Sequence, residues 1–513
     1  MNESSRSGQD QVFAFLAGPA THGQSGPVVR IDTHGAAVFL AGGDAYKVKK
    51  AVRFPFMDFS TLEKRRLACE RELAVNKAYA PALYLGVVPI SQDGSSLRLG
   101  AAPGAKIIEW AVHMRRFDEE RTLDRLAARS ELDLETIAKL AAVVVDSHKR
   151  AESITWAKAS AALREQLEET LSELAAAPAI FAPDIVMGLC AAMRESFARL
   201  EPILLERERG GEVRRCHGDL HLRNIALVGG DPVLFDAIEF DDKIATCDVL
   251  YDLAFLLMDL WIRGLRRHAN LLFNRYLWAC ADSQRNLKGL ALLPLFLSLR
   301  AAIRAKVIAL EPGGELKRAA EARRHFEAAL AFLAPSHLIL AALGGLSGTG
   351  KSTLAAAIAP SVGRPPGAVH LRSDIERKRL FGAGEFEQLP QEAYRPETSP
   401  AIYDRLRALA AIALEAGQST ILDAVHLRPE ERRAAQEIAK EKGARFTGLW
   451  LKAPTEILLK RVAARERDAS DANAEVVTAQ ARCVIAQHEW ITLDATAPAG
   501  ALEAQAIALI SRT

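Results

Sequence analysis

The residues best suited to chemistry sit in Gly345-Leu346-Ser347-Gly348-Thr349-Gly350-Lys351-Ser352, which has the spacing GxxxxGK[ST]. Glycines let the backbone curl until successive N–H groups face phosphate oxygens, and a helix that follows presents the positive end of its dipole. In this reading Gly345, Ser347, Gly348, Thr349, Gly350 and Thr353 surround a nucleotide phosphate chain. Lys351 places a charge at the β- and γ-phosphates, and the Ser352 hydroxyl joins a magnesium shell. The bland alternative is a glycine-rich turn that merely starts a helix. Two acids follow at the ends of apolar runs, Asp374 in His370-Leu371-Arg372-Ser373-Asp374 and Asp423 in Ser419-Thr420-Ile421-Leu422-Asp423. Ligands of open α/β sheets bind at the carboxyl ends of strands, so Asp374 is a candidate base for an acceptor hydroxyl and Asp423 a candidate for the outer magnesium shell. A helix N-cap is the alternative for either. Farther on, Arg461 and Arg465 are i,i+4 on a helical stretch. Two guanidinium groups on one face can close over transferring phosphates as a lid, with Arg465 the candidate, or simply form a solvated charged face.

A second phosphate-handling pattern lies upstream in His217-Gly218-Asp219-Leu220-His221-Leu222-Arg223-Asn224, followed by Leu234-Phe235-Asp236-Ala237-Ile238-Glu239-Phe240. An Asp with an Asn five residues later, then an Asp at the end of the next short strand, is the spacing that places a base and two magnesium ligands in one cleft. Otherwise Asp219 and Asn224 only order a turn. The two segments together resemble aminoglycoside and choline phosphotransferases and related kinase-like enzymes. That resemblance implies that Asp219 orients and deprotonates the acceptor hydroxyl, while Asn224 and Asp236 hold magnesium. The remaining apparatus is expected upstream, and candidates occur in the right order. Lys47 sits on a strand where it would contact the α- and β-phosphates, and Lys49 shares its strand face, so the pattern admits either. Glu72 on the next helix is the expected lysine partner, with Glu70 the alternative, and Trp110 to Met114 falls where two lobes would be hinged. The upstream turn is not GxGxxG, Gly218 stands where protein kinases carry Arg, and Ala237-Ile238-Glu239 replaces Phe-Gly after the second Asp. These departures favour small-molecule phosphotransferases over protein kinases.

The C-terminal segment resembles small P-loop kinases of the AAA_33 and zeta-toxin type, in which the loop lysine and an arginine-bearing lid carry phosphoryl transfer. The whole chain is similar to tandem proteins described as bifunctional aminoglycoside phosphotransferase/ATP-binding proteins. The resemblance implies an ATP- and Mg2+-dependent kinase whose two modules each pass a γ-phosphate to a small-molecule hydroxyl. One active kinase with a nucleotide-binding regulatory half is the alternative.

The elements that must carry these residues fall into an N-terminal extension (1–27), a mixed lobe (28–110), a helical lobe interrupted by a hairpin (111–335) and a P-loop domain (336–513) that opens on an apolar strand at 337–343. The fold class expected is an α+β bilobal protein-kinase-like domain followed by an α/β P-loop NTPase domain with a parallel sheet. A length of 513 residues allows this, at roughly 100 to 200 residues per domain. With 66 basic and 64 acidic side chains the formal charge is +2, which gives no ground for a nucleic-acid or membrane surface. The polar start at Met1 to Asp10 has no leader core, the apolar runs fall short of the ~20 residues that span a bilayer, and the six cysteines lack CxxC spacing. A cytoplasmic protein with reduced thiols is expected. No heptad or apolar stripe points to an oligomer. The segment from Trp261 to Lys306 holds nine Lys or Arg against the single acid Asp282. If it lined the acceptor pocket the acceptor would be neutral or anionic; otherwise these are solvated basic helix faces, with Arg300 and Arg304 sharing one of them.

Overall fold

The computed structural model describes residues 3–54, 57–155, 158–280, 282–310, 315–395, 397–464, 469–483 and 489–512. The chain forms two compact units, residues 1–163 with 208–256, and residues 164–207 with 257–513.

In the first unit, helix α1 (Glu3–Ala17) is followed by strands β1 (Val29–Asp32), β2 (Ala36–Ala41) and β3 (Asp44–Lys49), then by the two-residue strands β4 (Arg53–Phe54) and β5 (Met57–Asp58). Helix α2 (Leu62–Lys77) and strands β6 (Tyr84–Asp93), β7 (Ser96–Leu99) and β8 (Lys106–Arg115) come next. An antiparallel sheet runs β1-β2-β3-β8-β6-β7, with Lys47 near its middle, opposite Val38 on one side and Val112 on the other. Side chains alternate across a strand, so β3 sends Tyr46 and Val48 to one face and Lys47 and Lys49 to the other. The first face is covered by α1, whose Val12, Phe13 and Leu16 are buried with Phe39, Tyr46, Val48 and Ile90. Residues 3–17, read from sequence as part of an extension, are thus a packed helix. The second face receives α2, capped by Thr61 on the Lys64 N–H, with Cys69 buried beside Leu83, Tyr84 and Val112. Trp110 to Met114, expected at a hinge, lies inside β8 instead, where Ala111 to Met114 pair with β3 on one side and Trp110 to Met114 with β6 on the other.

Helices α3 (Leu123–Ala128) and α4 (Leu134–Arg150) follow, then α5 (Ala159–Ala175) and α6 (Pro183–Arg209), most of whose length belongs to the second unit. The chain returns through β9 (Val213–Arg215), the hairpin β10 (Ile225–Val228) and β11 (Asp231–Leu234), α7 (Asp242–Ala245), β12 (Thr246–Asp248) and α8 (Val249–Ile262). A lysine-bearing antiparallel sheet with a glutamate-bearing helix on the lysine face, followed by helices and a short hairpin flanked by acids, is the protein-kinase-like fold.

The second unit continues with α9 (Arg266–Ala279), α10 (Ser283–Gly289), α11 (Leu293–Leu310) and α12 (Glu315–Leu333). Then come β13 (Ile339–Gly344), α13 (Lys351–Ile358), β14 (Val369–Arg372), α14 (Ser373–Leu380), α15 (Ser399–Glu415) and β15 (Thr420–Asp423). The chain ends with α16 (Pro429–Glu441), β16 (Arg445–Lys452), α17 (Thr455–Ala463), α18 (Ala474–Ala481), β17 (Ile491–Asp494) and α19 (Ala499–Arg512). The five strands are parallel in the order β14-β15-β13-β16-β17. One face of this sheet buries Ala341, Leu343, Ile421 and Leu449 against α13 and α19. The boundary expected at 335/336 falls between α12 and β13, inside this unit. The basic segment is largely neutralised within the unit: Arg263 pairs with Asp259, Arg267 with Glu503, Arg275 with Glu385, Arg285 with Asp282, Lys288 with Glu206 and Lys306 with Glu173. Among the described residues no helix is long and apolar enough to cross a membrane.

Candidate active sites

In the first unit Lys47 and Lys49, on one strand face, share one partner and differ in the other. The Lys47 ammonium lies 2.8 Å from Glu72 Oε1 and 2.7 Å from Asp236 Oδ1, whereas Lys49 lies 2.5 Å from Glu72 Oε2 and 2.5 Å from Glu239. Glu72 is therefore shared by both lysines, while Glu70 pairs with Arg66 in solvent. Burial alone would raise the Glu72 pKa, but the two ammonium groups overcome it and hold the carboxyl at about 2. Burial would likewise depress Lys47, and Asp236, Glu72 and Glu239 more than reverse it. The cluster carries three acids against two bases, and Asp236 keeps its side chain 45% exposed.

Two clamps fix this geometry. Asp236 has a left-handed backbone, φ +60°, and donates its N–H to the Tyr84 hydroxyl at 3.2 Å. Next to it, Asn76 of α2 accepts from the Ala237 N–H at 2.7 Å and donates to the Ala237 carbonyl at 3.2 Å, so the helix bearing Glu72 also grips the strand end bearing Asp236. Asn224 donates to the Asp219 carbonyl at 3.0 Å and to Asp219 Oδ2 at 2.8 Å, which leaves its amide oxygen as the acceptor end. Oxygen donors of this kind, from Asn224 and Asp236, suit a hard cation such as Mg2+. Asp252, buried in the apolar helix α8, accepts from the Gly218 N–H at 2.9 Å and lies 3.2 Å from His148 Nε2, fixing the loop that carries Asp219. Sequence reading passed over Asp252 and His148; the available signal was a lone carboxylate at the centre of Tyr251-Asp252-Leu253-Ala254-Phe255-Leu256, which burial forces to find partners.

In the second unit the phosphate loop joins β13 to α13. Gly345, Gly348 and Gly350 have φ of +134°, +84° and +88°, a region closed to most side chains, and a Cβ on Gly345 would strike the Leu451 carbonyl. Ser347 and Thr349 are buried in the loop, and Thr353 is exposed on the first turn of α13. Lys351 folds back 3.0 Å onto the Leu346 carbonyl, and the Ser347 N–H donates to Gln480 of α18 at 2.8 Å. Asp423 ends β15, in register with Leu343 of β13 and Arg372 of β14. Its Oδ2 meets His370 Nε2 at 3.0 Å and Arg372 Nε at 3.7 Å, and these neighbours with Lys351 hold it below the usual carboxylate range despite burial. That engagement fits the outer magnesium shell better than direct ligation. Asp374 opens α14, where burial pushes its pKa up against the opposing charges of Arg372 and Lys351. Arg461 donates to the Ala495 carbonyl at 2.9 Å. Arg465 lies outside the described residues.

Sequence reading gave no role to His370 or Arg372, although an i,i+2 pair beside a strand-end acid is a legible signal. His426 was also missed. It is buried with a left-handed backbone, φ +52°, between Tyr403 and Trp490, and burial lowers its pKa to about 3.

Fold and sites together define a kinase-like module followed by a P-loop kinase module. The second matches the AAA domain family (AAA_33) over residues 340–485. Over 470 residues the chain is 31% identical to Uncharacterized protein Rv2004c of Mycobacterium tuberculosis (strain ATCC 25618 / H37Rv), covering 90% of each, and it belongs to the family of that protein. Two solved structures are similar at lower levels. A choline/ethanolamine kinase family protein from Mesorhizobium loti is 17% identical with TM-score 0.36, covering 64% of this chain and 95% of that one. The amicoumacin kinase hAmiN is 13% identical with TM-score 0.37, covering 64% and 96%.

Proposed function

We propose that the chain is an ATP-dependent phosphotransferase with two kinase modules, each passing the γ-phosphate of ATP to the hydroxyl of a small molecule. The observation that carries this reading is the Lys47 ammonium held between Glu72 and Asp236, a phosphate-binding charge fixed beside an exposed carboxylate suited to a metal. In the first unit Lys47 contacts the α- and β-phosphates, and Asn224 and Asp236 are the residues that hold Mg2+. When bound, that ion neutralises charge on the transferring phosphoryl group. Asp219 takes the acceptor proton as the new O–P bond forms and the β–γ bridge breaks, releasing ADP.

In the second unit residues 345–353 would cradle the phosphates, with Lys351 at the β- and γ-phosphates, and Ser352 and, from the outer shell, Asp423 would hold magnesium. Asp374, made more basic by burial, serves as the acceptor's base, and Arg465 remains the candidate cation for the transferring phosphoryl group on its sequence position alone. ADP formation by the purified full chain, followed over a panel of sugars, amino alcohols, nucleosides and antibiotics, tests the reading. Asp219→Ala and Lys351→Ala are each expected to abolish a different acceptor-dependent turnover. An Asp219→Ala variant with every activity and all magnesium–nucleotide binding intact would sink the first assignment. A Lys351→Ala variant that altered only the regulation of the first module would make the second a nucleotide-binding regulator.

A further inference from the structure

Helix α9 presents Asn270, Asn274 and Trp278 at four-residue spacing, hence on one face, and that face meets the free edge of β14, the outermost strand of the parallel sheet. Asn270 Nδ2 donates to the carbonyls of Pro366 and Ala368 at 3.0 and 3.1 Å. Asn274 donates to the Ala368 carbonyl at 3.2 Å and accepts from the His370 N–H at 2.7 Å. Trp278 Nε1 donates to the His370 carbonyl at 2.9 Å. Backbone groups that another strand would normally take are thus satisfied by three side chains of a helix that precedes the P-loop domain. The contact continues past the strand. Arg379 of α14 donates to the Leu277 and Trp278 carbonyls at 2.7 and 2.5 Å and to Glu376 at 2.6 Å. The Trp278 ring lies 5.7 Å from the Arg372 guanidinium and 5.6 Å from the His370 ring. His370 and Arg372 are the groups that meet Asp423, and α14 begins with Ser373 and Asp374.

Resting on the phosphotransfer reading of the second unit, we propose that Trp278, backed by Asn274, is a positioning residue of the P-loop site: it sets the end of β14, whose His370 and Arg372 meet Asp423 of β15 and which runs directly into Asp374 of α14. Rate there then depends on a helix outside the P-loop domain, and nucleotide affinity, set by the loop itself, does not.

The test uses the full chain in an Asp219→Ala background, with magnesium–ATP alone as the probe and water as acceptor, alongside binding of a fluorescent ATP analogue. Trp278→Ala is expected to lower kcat by about 10²-fold with the nucleotide Kd within about twofold, because small misplacement of reacting groups costs rate before binding. Trp278→Phe keeps a ring over Arg372 and recovers most of the rate. The proposal falls if Trp278→Ala keeps its kcat, or if rate and affinity fall together in both variants, which is a merely structural role. Should Lys351→Ala leave the turnover of this background unchanged, the P-loop reading itself fails and takes the proposal with it.

Discussion

The two candidate sites hold their lysine by opposite means. Lys47 is held by two carboxylates from elements far away in sequence, at 2.8 and 2.7 Å. Lys351 rests at 3.0 Å on a neutral carbonyl of its own loop. In the first unit β3, α2 and the segment after β11 must all be in place before the cation is oriented. In the second, Lys351 stays with one short loop curled by three glycines, and only the acids Asp374 and Asp423 come from other elements. The first site is thus a product of tertiary structure and the second mainly of local conformation, so equal damage to the two lysines has unequal consequences.

Lys351→Met and Lys47→Met put this contrast to its hardest use. Each is expected to reduce transfer by its own module by about 10²–10³-fold, the scale for losing a charge that stabilises a transferring phosphoryl group. Only Lys47→Met is expected to destabilise its unit as well, since it leaves Glu72 with one cation. Parallel urea melts and single-acceptor kinetics on both variants decide the matter, and equal stabilities would erase the contrast. Glu72→Gln goes further, because it removes the buried carboxylate that Lys47 and Lys49 share and leaves them only Asp236 and Glu239; breaking a buried pair costs about 3–5 kcal/mol. The pH dependence has a definite sign. A carboxyl with pKa about 2 when folded, against an ordinary 4.5, contributes stability that is complete above about pH 4.5 and lost as pH falls toward 2. Glu72→Gln is therefore expected to flatten the acid limb of first-unit stability in that window, and an unchanged limb would place the acid sensitivity elsewhere.

The same contrast explains what could be read from the chain. The P-loop was legible because its spacing, its glycines and its flanking strand and helix are all contiguous. Asp219, Asn224 and Asp236 were legible as a local pattern, but the choice between Lys47 and Lys49 was not, since both point to one face and only the folded positions of Asp236 and Glu239 separate them. Helix α1 escaped because Val12, Phe13 and Leu16 are a short apolar set in a polar stretch, and the sheet that buries them is what reveals their use. Strand β8 was read as a hinge because its burial depends on two neighbours that the local sequence does not name. For the basic segment 261–306 the acids that match it come, Asp282 apart, from outside it, at residues 173, 206, 259, 385 and 503, so composition within the segment overstated its field.

That last point makes the weakest prediction a useful one. Arg267 reaches Glu503 across 236 positions of sequence, longer than the 189 that the Lys47–Asp236 pair covers, yet its side chain is 57% exposed. If sequence separation governed the worth of an ion pair, the Arg267 pair would matter at least as much. Solvent screening and side-chain entropy say otherwise: an exposed pair contributes about 0–1 kcal/mol. Arg267→Ala is expected to shift second-unit stability by no more than that, to leave both turnovers unchanged, and to lose even this small effect in high salt. A larger loss, insensitive to salt, would mean that this pair is shielded like the Lys49–Glu72 pair. The second unit, like the first, would then lean on shielded long-range charge, through α9.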